Sequence, residues 1–224
     1  MFKDLFFDFD GTLADSSEGI YESFKNSCFK LNIEPVSINK FKKFIGPPIA
    51  QILRKIYPNL STNQISDFKD FFRNDYDNKN FKLVNWYPGV QKGLKILAES
   101  GKFNSINVIT NKPTKPTIAL LKNAKLDLYF NNIYGIDYRL FRQISTKSFI
   151  DKQEAIKFAL QSQKIKTNKA LYIGDTNSDL LASKRNNIKF VAVNYGFYLW
   201  KESEISKADY MISNFNGLYK LFFE

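Results

Sequence analysis

The first apolar run of the chain, Leu5-Phe6-Phe7-Asp8-Phe9, has the length and ring content of a buried strand, and it stops at the turn signal Asp10-Gly11-Thr12. From Asp15 to about Leu83 only helical patterns follow, and after Trp86-Tyr87-Pro88-Gly89-Val90 strand and helix patterns alternate to the end of the readable pattern. Alternation of this kind means an α/β fold, a doubly wound parallel sheet with helices on both faces. That sheet needs residues 4 to 9 as a strand. The helical stretch therefore interrupts the fold, dividing the chain into a core of residues 1–14 and 84–224 and an all-helical insert of residues 15–83.

In the insert, Ser16 or Ser17 is placed to cap a helix carrying Ile20, Phe24, Cys28 and Leu31, which Pro35 ends. Phe41, Phe44 and Ile45 lead to Gly46-Pro47-Pro48, after which Ile49, Ile52, Leu53 and Ile56 recur at helical spacing. Ser61 or Thr62 opens a third helix with Ile65, Phe68, Phe71 and Phe72 inward. In the core, Pro88 suits the first turn of a helix carrying Val90, Leu94 and Leu97. Strands are expected at Ile106–Thr110, Asn132–Ile136, Ala170–Ile173 and Phe190–Val193, and helices at Thr117–Lys125, Lys152–Gln161 and Ser178–Arg185.

Composition narrows the chemistry. The chain has no histidine and one cysteine, Cys28, which excludes Ser-His-Asp and Cys-His nucleophiles, His-ligated metals, multi-cysteine zinc sites and intrachain disulfides. What remains is carboxylates, lysine, hydroxyls and a hard cation bound through oxygen. In an open parallel sheet the ligand crevice lies beyond the carboxyl ends of the strands. Asp8, Asp10 and Thr12 sit at one such end, Thr110, Asn111 and Lys112 at another, and Gly174-Asp175 at a third, with Asp179 one helical turn later. Carboxylates gathered about 4 Å apart repel by on the order of 4 kcal/mol per pair at an effective dielectric near 20. Without a counter-ion they would not all stay ionised, and magnesium resolves the conflict. Asp-x-Asp-Gly alone fits an ordinary turn. A calcium loop is excluded because glycine and glutamate are missing from its sixth and twelfth positions. Asp-x-Asp-Gly-Thr arises by chance in roughly two per thousand chains of this size, and here it follows the first strand with Thr and Gly-Asp closing later ones.

Those residues resemble the motifs of the haloacid dehalogenase-like phosphohydrolases. The first motif matches Asp8-Phe9-Asp10-Gly11-Thr12-Leu13-Ala14-Asp15-Ser16, the second Val108-Ile109-Thr110-Asn111-Lys112, and the fourth Tyr172-Ile173-Gly174-Asp175-Thr176-Asn177-Ser178-Asp179. The third, a lysine, is best met by Lys152, with Lys147 as the fallback. The resemblance covers nearly the whole chain and implies a Rossmann-like core with residues 15–83 as a helical cap. It implies a magnesium-dependent phosphatase in which Asp8 is the nucleophile and Asp10 the general acid and base. Asp8, the Asp10 carbonyl and Asp175 would hold the ion, with Asp179 binding through water or orienting the site. Thr110 and Lys152 would serve both catalysis and substrate binding, with Asn111 and Gly46 as further substrate contacts.

Phe44-Ile45-Gly46-Pro47-Pro48-Ile49 looks like the specificity loop of phosphoglycolate phosphatase-like members. Phosphosugar mutases similar to β-phosphoglucomutase continue Gly-x-x-Arg there, where this chain has Ile49. Lys42 and Lys43 lie near the position of the phosphonate hydrolases' Schiff-base lysine, but read as a solvated helix face. A non-enzymatic phospho-aspartate receiver is a further alternative, although its phosphorylated Asp follows a later strand and it has no helical insert. The net charge of +11, from 33 Lys and Arg against 22 Asp and Glu, is spread along the chain rather than massed, so a basic surface is expected and no nucleic-acid partner. No stretch approaches the roughly 18 apolar residues of a membrane span. Acidic residues stand where a signal peptide needs its apolar stretch, so the expectation is a cytoplasmic monomer or homodimer acting on a small-molecule phosphate ester.

Overall fold

The computed structural model describes all 224 residues. Its strands are β1 (Asp4–Phe7), β2 (Ala14–Asp15), β3 (Asn85–Trp86), β4 (Ser105–Ile109), β5 (Asn132–Tyr134), β6 (Ala170–Gly174), β7 (Lys189–Val193) and β8 (Tyr210–Ile212). The helices are α1 (Ser17–Lys30), α2 (Ile38–Lys42), α3 (Ile49–Ile56), α4 (Thr62–Asn78), α5 (Val90–Glu99), α6 (Thr114–Asn123), α7 (Tyr138–Phe141), α8 (Lys152–Ser162), α9 (Asn177–Arg185), α10 (Glu202–Ile205) and α11 (Gly217–Phe223).

Six strands form one sheet in the order β5-β4-β1-β6-β7-β8, every pair parallel. The chain builds outward from β1 through β4 to β5, then crosses back to β6 and continues to β8. The direction of winding therefore reverses beside β1, which opens a crevice at the carboxyl ends of β1, β4 and β6. Alternation along β1 divides the sheet's two faces. Leu5 and Phe7 pack with Leu94, Leu121 and Phe215, while Phe6 packs with Ile156, Tyr172 and Phe190 on the other side. All three β1 residues are fully buried, each worth about 2 to 3 kcal/mol of burial.

The insert has a separate core. Phe24, Phe41, Leu53, Phe68 and Phe72 form it, with the Phe24 and Phe41 rings stacked 4.2 Å apart. Ser61 caps α4 through a reciprocal exchange with Gln64. No helix is long and apolar enough to cross a membrane.

Several local expectations needed correction. A two-stranded antiparallel ribbon, Ala14 with Trp86 and Asp15 with Asn85, joins the points where the chain leaves and re-enters the core. Two residues a side are too short for any periodicity. The first insert helix ends at Lys30 rather than near Pro35, because Asn32 takes a left-handed backbone (φ 54°) that asparagine tolerates. Pro88 precedes α5 instead of lying in its first turn. Gly89, at φ 87°, is the residue flanking the helix, and a Cβ there would come within 2.6 Å of Asn216. Beyond Val193 the sheet gains β8, whose Ile212 shares a core with Leu218 of α11, and the sequence pattern did not reveal either element.

Candidate active site

β1 delivers Asp8 to the crevice, where its backbone N–H donates to the carbonyl of Ile173 at the end of β6. That bond aligns the ends of the two strands and brings Asp8 beside Asp175, immediately after β6. Asp179 arrives from the first turn of α9. One carboxylate oxygen from each of the three lies within 4.8 Å of the others, and all three residues are buried. Lys152, first residue of α8, is a buried cation among them, 2.6 Å from Asp8 Oδ2 and 2.6 Å from Asp179 Oδ1. Lys147, the fallback, is exposed and outside this cluster.

Charge is nevertheless unbalanced. Burial pushes the Asp8 carboxyl up to about 7, Lys152 pulls it down, and Asp179 pushes it up again. Asp175 is held well above the usual carboxylate range by burial, and then by Asp8 and Asp179. Burial lowers Lys152, but the two carboxylates outweigh it and hold its ammonium above the ordinary lysine value.

The hydrogen bonds show which oxygens are free. Asp175 Oδ2 accepts from the Phe197 N–H at 2.9 Å, and Asp8 Oδ2 faces Lys152. Oδ1 of each is buried with no partner. The Asp10 carbonyl accepts no backbone hydrogen bond. Both Asp179 oxygens are engaged, Oδ1 by Lys152 and Oδ2 by the Thr176 N–H and hydroxyl. Two orphaned buried carboxylate oxygens in a cluster with surplus negative charge fit a hard divalent cation, and the Asp10 carbonyl, two residues after Asp8, is uncommitted. Asp179 fits as the residue that orients Lys152 and the start of α9.

Space around Asp175 is set by backbone. Gly11 has φ 83°, and a Cβ there would lie 2.1 Å from Asp175 Oδ2. A Cβ on Gly196 would lie 2.4 Å from the same oxygen.

Asp10 sits at the edge of this cluster. Its Oδ1 accepts from the Ser16 hydroxyl at 2.6 Å and from the Lys112 ammonium at 3.0 Å. Ser16, expected to cap α1, makes no side-chain cap bond. Thr110, at the end of β4, is buried and accepts the Lys112 N–H, which leaves its hydroxyl proton available. Asn111 donates to the carbonyl of Gly46 at 3.2 Å, tying the loop before α3 to the end of β4. All eight candidate residues therefore lie in or beside one crevice. Lys112 stood at the strand end the sequence singled out, though without a role of its own. Tyr76 had no clear sequence signal, since it continues the Phe68, Phe72 spacing of a core stripe although its hydroxyl reaches Lys112.

The chain is similar to known proteins along most of its length. Residues 5–193 match the family model described as haloacid dehalogenase-like hydrolase. A 5'-nucleotidase of Pseudomonas aeruginosa is 28% identical over 88% of this chain and 84% of its own length. A phosphoglycolate phosphatase of Pseudomonas fluorescens is 28% identical over 85% of this chain and 69% of its own. Among solved structures, one described as a predicted phosphatase from Clostridium acetobutylicum superposes with a TM-score of 0.86 at 30% identity, covering 99% of this chain and 98% of that one.

Proposed function

Because the chain belongs to the haloacid dehalogenase-like hydrolases, we propose that it is a phosphatase cleaving a small-molecule phosphate monoester through an aspartyl-phosphate on Asp8. The observation that carries this reading is Asp8 itself. It is a buried carboxylate with one oxygen unpartnered and the other on a lysine, at the mouth of a crevice, two residues before a second aspartate whose Oδ2 takes no hydrogen bond from the chain.

In the first half-reaction the Asp8 carboxylate attacks phosphorus and the bond to the leaving oxygen breaks. Asp10 gives its proton to that oxygen, so an alcohol departs. In the second, Asp10 takes a proton from water as the water attacks phosphorus, which releases inorganic phosphate and restores Asp8. Lys152 holds Asp8 in place and offsets charge on the phosphoryl oxygens, and the free Thr110 hydroxyl proton is placed to donate to them. Magnesium, held by Asp8, the Asp10 carbonyl and Asp175 with Asp179 orienting the set, would supply charge neutralisation and alignment of the phosphoryl group.

Residues 15–83 act in this reading as a cap over the crevice. Two contacts from the insert to the end of β4 support that role, Gly46 with Asn111 and Tyr76 with Lys112. Phosphoglycolate is the first substrate to test, given the names of the relatives, and nucleoside monophosphates follow. A screen of these with hexose phosphates and pyridoxal phosphate, with magnesium and with chelator, tests the proposal. Magnesium-dependent release of inorganic phosphate from at least one ester is expected, and no turnover of any of them with magnesium present sinks it.

A further inference from the structure

Lys112 is as buried as Lys152, with a side chain 2% exposed, yet it touches neither Asp8 nor Asp175. Its ammonium has two polar side-chain partners. It donates to Asp10 Oδ1 at 3.0 Å and to the hydroxyl of Tyr76, and it lies 5.5 Å from the centre of the Phe9 ring. Tyr76 stands on α4 of the insert, 2% exposed, with its ring stacked on Phe72 at 5.7 Å. A buried phenol from the helical segment thus completes the shell of a lysine on the core, and that lysine holds the second aspartate.

The bonds to Asp10 are one-sided. Ser16 and Lys112 both bind Oδ1, and no hydrogen bond of the chain reaches Oδ2. The carboxyl is anchored through one oxygen, which leaves the other to carry the proton. A desolvated ammonium that loses one of two acceptors must recruit water or shift toward the one it keeps. Either change moves Asp10.

We propose that Tyr76 is a positioning residue for proton transfer, acting through Lys112 to fix the Asp10 carboxyl against the departing oxygen. The inference rests on the phosphatase reading above. It concerns one step, in which the bond between phosphorus and the leaving oxygen breaks while the Asp10 proton passes to that oxygen. An alkoxide needs this proton and a dinitrophenolate does not, so the two kinds of ester separate positioning from general damage. The parameter to compare is kcat/KM, which covers only steps up to phosphoryl transfer.

The test uses Tyr76→Phe, which keeps the ring packed on Phe72, alongside Asp10→Asn, Lys112→Met and the Tyr76→Phe, Lys112→Met double variant. Substrates are dinitrophenyl phosphate and the alkyl phosphate that the wild type hydrolyses fastest in the screen. For Tyr76→Phe, kcat/KM on the alkyl ester should fall about tenfold, with a loss on the aryl ester at least about fivefold smaller, the same pattern as Asp10→Asn in weaker form. In the Lys112→Met background Tyr76→Phe should cost less than about twofold more, since the two act in series. Equal losses on both esters, no loss on either, or full additivity with Lys112→Met would each overturn the proposal. Failure of the wild type itself to hydrolyse any phosphate ester would instead sink the phosphatase reading on which it rests.

Discussion

Lys152 Nζ lies 2.6 Å from Asp8 Oδ2, with both side chains at most 5% exposed. Removing one partner of a buried pair strands the other, at a cost of about 3 to 5 kcal/mol. Here Lys152 also faces Asp179, so its loss leaves Asp8, Asp175 and Asp179 without their shared cation. Lys152→Met should lower unfolding free energy in urea by that amount and reduce turnover by about a hundredfold or more. Wild-type stability in this variant would show that the pair is not a structural element.

Asp8→Asn keeps the shape of the side chain and removes its nucleophilic oxygen. The protein should fold, with an unchanged circular dichroism spectrum, and hydrolyse an aryl phosphate at least about 10³-fold more slowly. Phosphate release at the wild-type rate with magnesium would refute the assignment of the nucleophile. Asp10→Asn should fall most with poor leaving groups, and a rate equal to wild type on an alkyl ester would remove Asp10 from its role.

The crevice was legible because its chemistry lies at strand ends, where an apolar run gives way to Asp, Thr or Gly-Asp, and a parallel sheet brings such ends together. Lys152 was reached only through the family resemblance, with Lys147 as the fallback, because a lysine at a helix start carries no signal of its own; the structure puts it between Asp8 and Asp179. Tyr76 was not legible. Its spacing is that of a core residue, its ring does pack in the insert's core, and only its hydroxyl leaves that role. Ser16 misled for a related reason. Its place before α1 is right for a cap, but its hydroxyl donates to Asp10 and its oxygen accepts from no helix N–H. The β2–β3 ribbon and β8 escaped because two or three residues carry no period to read.

Gly11 links backbone geometry to the acidic cluster. Its φ of 83° disfavours any other residue, and a Cβ would meet all three atoms of the Asp175 carboxyl within 2.8 Å. Gly11→Ala should therefore displace Asp175 as well as strain the turn. The expected cost is about 2 kcal/mol or more in stability, together with a loss of magnesium-dependent thermal stabilisation. An alanine variant that melts like wild type and responds equally to magnesium would contradict this arrangement.

The raised Asp8 carboxyl makes the metal-free protein sensitive to pH in a definite direction. Burial is the main cause, opposed by Lys152 and reinforced by Asp179, and it moves the group from 3.8 to about 7. A group raised in the folded state favours folding while it is protonated there. That contribution is complete below about 3.8 and is lost as pH rises toward 7, with a slope of at most about 1.4 kcal/mol per pH unit for one group. Asp175, also raised by burial first, acts in the same sense. Asp209 acts oppositely: burial would raise its carboxyl, but bonds from Lys184 and Lys189 lower it overall. Its contribution is present above 3.8 and lost only in stronger acid, outside this window. Metal-free protein should therefore melt at progressively lower temperature between about pH 4.5 and 7, and Asp8→Asn should flatten the trend. In the proposed site magnesium would compete with protons for the same oxygens, so its stabilisation should be larger at about pH 7.5 than at about pH 5. Thermal melts across this range with chelator and with magnesium, on wild type and Asp8→Asn, measure both effects. If the wild type shows the same pH dependence as Asp8→Asn, or if magnesium stabilises it equally at both ends, the buried carboxylates are not the origin of the effect.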